Sequence, residues 1–168
     1  MDAISEQKLV HVNPKLSALV RQMADELAAA DPPVTIRVVQ GLRTWEEQAA
    51  LYDQGRSKPG KIVTDAPAGH SYHNFGLAVD CVPMMPLGPD WNRGHPVWQR
   101  MIAVGQKVGL TEGALWRSFP DWPHFQLTGS LPLSPNEYVR DSYIQSGLQG
   151  VWTAAGLYSP DQSVNELA

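Results

Sequence analysis

Two short segments of the chain carry side chains that commonly bind a metal ion. The first supplies His73 and Asp80, and the second, about forty residues later, supplies His124 with Asp121 three residues ahead of it. The segments read Gly-His-Ser-Tyr-His-Asn-Phe-Gly-Leu-Ala-Val-Asp at 69–80 and Asp-Trp-Pro-His-Phe-Gln at 121–126. Two imidazoles and one carboxylate are a usual ligand set for a catalytic zinc ion that keeps its fourth position open for water. Because a further carboxylate can act as general base, the pattern predicts a zinc hydrolase.

We expect β-strands to present most of these side chains. Since side chains alternate between the two faces of a strand, Asp80 would share a face with the small residues Gly76 and Ala78, which leaves space for an ion. The opposite face would be apolar and belong to the core: Leu77, Val79 and Cys81. The same alternation places His124 and Gln126 on one face of the second segment. His73 and Asp80 could also be ordinary buried residues that only form hydrogen bonds, and the spacing alone favours neither this alternative nor a metal site. An unpaired carboxylate in a segment of otherwise small and apolar residues would, however, be costly.

The motif Ser71-x-His73-x-x-Gly76-x-Ala78-x-Asp80, followed by Asp121-x-x-His124, resembles the signature of a zinc peptidase family. That family includes the vancomycin-resistance D,D-peptidases and the phage L-alanyl-D-glutamate endopeptidases. Further blocks resemble the endolysin branch: Gln40-Gly41-Leu42-Arg43-Thr44, Glu47-Gln48, Leu51-Tyr52, Gly55-Arg56, Lys58-Pro59-Gly60-Lys61 and 116–126. The resemblance runs from about Val34 to Leu127, over half of the chain.

This resemblance implies that His73, Asp80 and His124 bind one zinc ion and that Asp121 is the general base and acid. Many relatives carry Glu at the last of these positions. The side chain of Asp is one methylene shorter and therefore has less reach toward a metal-bound water.

The resemblance also implies substrate-binding residues. Arg43 would hold the substrate and the oxyanion that develops during the reaction. The other interpretation of Arg43 is that it forms only a surface salt bridge to Glu46 or Glu47. Ser71 would orient the substrate or a ligand, or else bond only to local backbone. Two tryptophans that flank the site in the sequence are candidates for a substrate-facing wall: Trp116 and Trp122.

The implied function is a zinc-dependent peptidoglycan endopeptidase that cuts the L-Ala–D-Glu bond of the stem peptide, as phage or prophage endolysins do. A D,D-carboxypeptidase or dipeptidase acting on D-Ala-D-Ala would use the same ligands, but the block from Gln40 to Arg56 favours the endopeptidase. A non-catalytic zinc-binding module, as in Hedgehog signalling domains, would share the fold, but the presence of both Asp121 and Arg43 argues against it.

Composition excludes several other classes. The net charge of −4 argues against binding to nucleic acid, and the single cysteine, Cys81, excludes an intrachain disulfide. The sequence contains no apolar run near the ~20 residues of a membrane span, and the first ten residues lack the apolar stretch of a secretory signal. We therefore expect a monomer synthesised in the cytoplasm without a signal peptide, which acts on the cell wall, in the periplasm, after release. The basic run from Arg56 to Lys61 is interpreted as a solvated loop rather than a substrate-attracting rim.

Helices are predicted on both sides of scattered short strands along the sequence. This order predicts an α+β fold: a single domain with a small antiparallel sheet flanked by helices. The chain of 168 residues is long enough for one core. Helices are predicted at 14–30, 44–55, 96–107 and 134–146, strands at 34–39, 76–82 and 124–127, a long loop at 83–96 and turns at 110–119. The single peptidase domain would span 1–168, with a motif-bearing core at about 34–127, a C-terminal helical extension at about 134–156 and a flexible tail at 159–168.

Overall fold

A computed structural model describes residues 1–158, so the predicted flexible tail at 159–168 lies outside the described residues. The helices are α1 (Ala3–Leu9), α2 (Pro14–Ala28), α3 (Trp45–Asp53), α4 (Pro96–Lys107) and α5 (Glu137–Ala154), with a 3₁₀ helix at Tyr72–Phe75. The strands are β1 (Thr35–Gln40), β2 (Ala78–Met85), β3 (Gly88–Pro89), β4 (Thr111–Gly113) and β5 (Asp121–Gln126). Among residues 1–158, no helix combines the length and the apolarity that crossing a membrane requires.

The strands form one antiparallel sheet in the order β1-β2-β5-β4, and β3 pairs with the end of β2. In the central pair, Asp80 of β2 lies opposite His124 of β5. Helices surround this small sheet, which is the predicted α+β architecture. The register places two residues from the two predicted segments side by side.

One face of α2 anchors the main core. Asn13 caps this helix and Pro14 begins it, as predicted, because the Asn13 side chain accepts two backbone N–H groups of the first turn. The buried side chains of α2 pack with the sheet and α4: Leu16, Val20, Met23, Leu27, Val79, Cys81, Trp98, Met101 and Phe125. A second, smaller cluster joins the 3₁₀ helix to α5: Tyr72, Phe75, Leu77, Ala78, Leu131, Val139 and Val151.

The N-terminal residues form helix α1, which is not among the predicted helices. Helix α1 packs on β1, and the Ser5 hydroxyl accepts the N–H of Val38 at 3.0 Å. Asp2 caps α1 and pairs with Arg37 of β1 at 2.6 Å. These contacts cover the outer edge of β1 and leave its backbone donor at Val38 satisfied.

Two predicted strand boundaries were wrong near the first segment. Gly76 lies outside β2, because its φ of +62° makes it the left-handed cap of the 3₁₀ helix. Strand β2 also continues through Pro83 to Met85 and turns back into β3, where a long loop was predicted. Proline is tolerated there because it lacks only one donor in a strand that is near its end.

Two other segments also differ from the predictions. Residues 111–113, predicted as turn, form β4 and pair with β5. Helix α5 begins at Glu137, after its N-cap Asn136 and three residues later than the predicted start, and it runs to Ala154, within the predicted helical extension at about 134–156. The backbone at Ser146 and Gly147 is non-helical, so a kink divides α5 near the predicted end.

Candidate metal centre and substrate cleft

The 3₁₀ helix, and not a strand, positions the first histidine. The Ser71 hydroxyl accepts the backbone N–H of His73 at 3.4 Å at the start of this helix, and Gly76 ends it. Asp80 and His124 then reach the same point from the paired strands β2 and β5. The structure thus brings together three residues that lie up to 51 positions apart in the sequence.

Three donor atoms converge at this point. Nε2 of His73 lies 3.2 Å from Oδ1 of Asp80 and 3.2 Å from Nδ1 of His124, and the last two atoms are 3.7 Å apart. Ligands at about 2.0–2.2 Å from a tetrahedral zinc ion lie about 3.3–3.6 Å from one another. The observed triangle therefore fits three corners of a zinc coordination tetrahedron.

The outer nitrogen of each histidine is already hydrogen-bonded. Nδ1 of His73 lies 2.9 Å from the carbonyl of Gly41, and Nε2 of His124 lies 2.9 Å from Oε1 of Gln126. The amide nitrogen of Gln126 donates to the carbonyl of Leu133 at 2.9 Å, which orients its oxygen toward His124. Both imidazoles must donate to these oxygens, so their inner nitrogens present lone pairs. Two lone pairs and a carboxylate that face one another form a donor set able to bind a metal cation.

Electrostatics in the centre favour an ionised Asp80. Burial raises the pKa of this carboxyl, but the charge of His73 and hydrogen bonds from both histidines outweigh burial and lower the pKa below its usual range. Burial lowers the pKa of His124, yet the neighbouring Asp80 raises it overall. The two pKa shifts have the same cause, which is the attraction between the Asp80 carboxylate and protonated histidines. A bound metal cation would take the place of the histidine protons in this attraction.

Asp121 begins β5 and lines the same cleft. Burial and then the negative charge of Asp80 raise its pKa, which suits a group that accepts and later releases a proton. Its partner across the sheet is Gly113, where a Cβ would lie 2.7 Å from the Asp121 carbonyl and 3.0 Å from Cβ of His124. Only glycine lets β4 approach this closely.

Arg43 is held by its neighbours in a polar relay. Its Nη1 donates to Oε1 of the fully buried Gln48 at 2.8 Å, and Gln48 donates in turn to the carbonyl of Ala66 at 2.7 Å. Nη2 of Arg43 lies 3.5 Å from Oδ2 of Asp80. The Glu47 carboxylate instead accepts the N-cap N–H of α3 in a capping box. The surface salt bridge that was the alternative for Arg43 is therefore absent from the described residues.

A cleft of about 650 Å³ opens above the three donor atoms. Its lining includes every predicted site residue except Trp122: Arg43, Ser71, His73, Asp80, Asp121 and His124. The ring of Trp116 lies against the ring of His124, with centroids 4.8 Å apart, and forms one wall. Trp122 was predicted to face the substrate, but it is not among the lining residues. Its ring packs edge-on against that of the core residue Trp98, with ring centroids 6.2 Å apart.

Sequence reasoning missed the supporting residues Gln48 and Gln126. Gln126 had one signal, since strand alternation put it on the face of His124. Gln48 had none beyond its place in the block that carries the resemblance. The basic run is structural in part, because Arg56 donates to the carbonyls of Tyr52 and Thr64 and pairs with Asp65. Arg56 therefore braces the cleft wall that contains Thr64 and Asp65.

Comparisons with known proteins find similar sequences among peptidases. A peptidase M15 family model described as D-alanyl-D-alanine carboxypeptidase matches residues 64–127. The peptidoglycan L-alanyl-D-glutamate endopeptidase CwlK of Bacillus subtilis is 37% identical over 122 residues, which are 67% of this chain and 73% of that protein.

Solved structures also resemble this chain. The L-Ala D-Glu endopeptidase ChiX of Serratia marcescens superposes with a TM-score of 0.54 and 28% identity, over 76% of this chain and 89% of that one. The vancomycin resistance D,D-dipeptidase VanXYg has a TM-score of 0.53 at 19% identity, over 89% of this chain and 61% of that one, and shares the fold.

Proposed function

We infer the function from one premise: this chain belongs to the peptidase M15 family of metallopeptidases. It is a peptidoglycan endopeptidase that hydrolyses the L-Ala–D-Glu bond of the stem peptide. Similarity to CwlK over 122 residues carries the assignment of the bond, and similarity to ChiX supports it. The converging donor triangle carries the assignment of metal-dependent hydrolysis.

We propose zinc as the metal and His73, Asp80 and His124 as its ligands. The near-tetrahedral spacing, the mixed nitrogen and oxygen donors and the hydrogen-bonded outer nitrogens support this ion. When bound, zinc would polarise the scissile carbonyl and lower the pKa of a water at its open position.

The residues around the metal divide the remaining work. Asp121 takes the proton of the attacking water and passes it to the leaving amine of D-Glu, a role that its raised pKa supports. Arg43, held by Gln48, donates to the oxyanion that develops on the L-Ala carbonyl. Trp116 and Ser71 line the path of the peptide, and Ser71 also fixes the start of the 3₁₀ helix that carries His73.

We further propose that the protein acts as a monomer on the cell wall and that it serves a phage or prophage in lysis. Its substrate places its action at the wall. The resemblance of residues 40–56 to endolysins is the reason to propose the phage role.

Digestion of purified peptidoglycan by the zinc-loaded protein tests the function. We expect released peptides with a new D-Glu amino terminus, while L-Ala stays on the glycan. Mass spectrometry and amino-terminal analysis distinguish this product from free D-Ala, whose release alone would reassign the chain to the D,D-carboxypeptidase branch. An Asp121→Asn preparation with equal zinc content serves as the control for contaminating hydrolases.

A further inference from the structure

Arg140 of α5 is not itself a lining residue of the cleft, but it packs over a glycine beside it. A Cβ at Gly69 would lie 3.0 Å from the Trp45 ring and 3.2 Å from Cδ of Arg140, so the arginine stem rests directly on this backbone. Gly69 has a φ of +74°, and its N–H donates to the Asn74 side chain at 3.0 Å. Packing, and not an ion pair, therefore sets the place of Arg140.

Most N–H groups of the Arg140 guanidinium have no hydrogen-bond acceptor among residues 1–158. Its Nη1 donates to the carbonyl of Pro135 at 3.4 Å, and among residues 1–158 no carboxylate oxygen lies within 4.0 Å of it. Arg21, Arg37, Arg43 and Arg56 each have a carboxylate within that distance, whereas Arg93, Arg100 and Arg117, like Arg140, have none among residues 1–158. A positioned, half-buried guanidinium without a counter-ion is suited to an anionic ligand.

Both segments that Arg140 contacts line the cleft. His70 follows Gly69 on one side, and Ser134 and Pro135 lie on the other. Burial and the charge of Arg140 lower the pKa of His70, so its ring is neutral near pH 7 and offers one N–H donor. We name the group His70, Ser134 and Arg140 the rim corner, because it gathers hydrogen-bond donors and one positive charge at the edge of the cleft.

Two other arginines at or beside the cleft already have carboxylate partners. Arg56 pairs with Asp65 at 2.9 Å, and Arg43 faces Asp80 at 3.5 Å. Arg140 has no such partner among residues 1–158. A free carboxylate of the stem peptide can therefore pair with Arg140 without displacing an existing ion pair.

We propose that the rim corner is a carboxylate-binding subsite that selects stem peptides by a free carboxylate beyond the scissile bond. This inference rests on the proposed endopeptidase function and adds a specificity-determining site to it. Two carboxylates have the required chemistry: the α-carboxylate of D-Glu and the terminal carboxylate of the third residue. Arg140 supplies the charge, and His70 and Ser134 supply neutral donors.

Three muropeptides test the proposal with the zinc-loaded protein. One carries both carboxylates free, one carries D-Glu as its α-amide, and one carries an amide on the third residue. We expect wild type to cleave one of the amidated substrates with a kcat/KM about 10- to 100-fold below that of the free acid, on the scale of lost charge-assisted hydrogen bonds. The amide that weakens cleavage identifies the carboxylate.

In Arg140→Gln the preference should shrink to within a few fold, because cleavage of the free acid falls while cleavage of that amide changes little. Arg140→Lys should keep part of the preference, and Arg100→Gln on α4, whose side chain makes no hydrogen bond to a cleft-lining residue, should keep all of it. The ratio of kcat/KM values does not depend on how much protein is folded, so a destabilised variant remains informative. An equal ratio in wild type and Arg140→Gln would overturn the subsite alone, whereas failure of wild type to cut any L-Ala–D-Glu bond would overturn the function as well.

Discussion

Nε2 of His124 lies 2.9 Å from Oε1 of Gln126, and the other end of that amide is bonded to the carbonyl of Leu133. A buried glutamine thus selects the tautomer of one proposed metal ligand and ties it to a segment that lines the cleft. Metal affinity should therefore depend on a residue that does not touch the metal.

Gln126→Leu should weaken zinc binding by about 10- to 100-fold, since it leaves the outer N–H of His124 without an acceptor. Gln126→Glu restores an acceptor and should bind zinc nearly as well as wild type. Competition with a chromophoric chelator measures both affinities, with His73→Ala as the variant expected to lose full occupancy. Equal zinc affinity in Gln126→Leu and wild type would contradict the positioning role, and full zinc in His73→Ala would contradict the ligand set.

Asp121→Asn should retain zinc and the fold but lose activity by about 10²- to 10⁴-fold, the usual contribution of a general base. The amide keeps the size of the side chain and removes its ability to accept the proton. Turnover of muropeptide at matched zinc content is the measurement. If the variant turned over at the wild-type rate, another group would transfer the proton, and His70 in the same cleft would be the first to test.

Arg43→Lys should keep the positive charge and still lose much of the activity. A lysine ammonium cannot donate at once to Gln48 and to the oxyanion in the planar geometry of a guanidinium. Steady-state kinetics should show the loss mainly in kcat, because the oxyanion forms only in the transition state. Normal kcat with zinc intact would make Arg43 a purely structural partner of Gln48.

Asp2 should make stability depend on acid pH. Burial raises its pKa, but hydrogen bonds from Ser5 and the charge of Arg37 outweigh burial and lower it from 3.8 to about 2. Because the folded-state pKa is the lower one, Asp2 stabilises the protein above about pH 4, and this stability is lost as the pH falls toward 2.

Asp2→Ala should therefore lower the free energy of unfolding near pH 7 by about 1 kcal/mol, the usual cost of a lost N-cap. Asp2→Asn keeps a capping side chain and should lose only the contribution of the ion pair. Urea unfolding at pH 7 and at pH 3 should show the gap between wild type and Asp2→Ala narrowing in acid. A gap that stayed constant would mean that the carboxylate charge contributes nothing.

Residue types, their spacing and the resemblance to a zinc peptidase family together predicted the members of the proposed centre. His73, Asp80, Asp121 and His124 lie in two short segments of the sequence, and all four line one cleft. The helix predicted at 44–55 is present as α3, because its capping box joins Thr44 and Glu47, which lie only three residues apart.

Only the tertiary structure decided which neighbours support those residues. Trp116 and Trp122 were equal candidates in the sequence, yet one lines the cleft and the other packs on Trp98. Arg140 acts on His70 from 70 positions away, through packing that no local pattern records. Periodicity reports which face of one element is apolar, whereas contacts between distant elements depend on how whole surfaces pack together. The sequence therefore predicted which residues could bind the metal, whereas only the tertiary structure decided which other residues lie around the cleft.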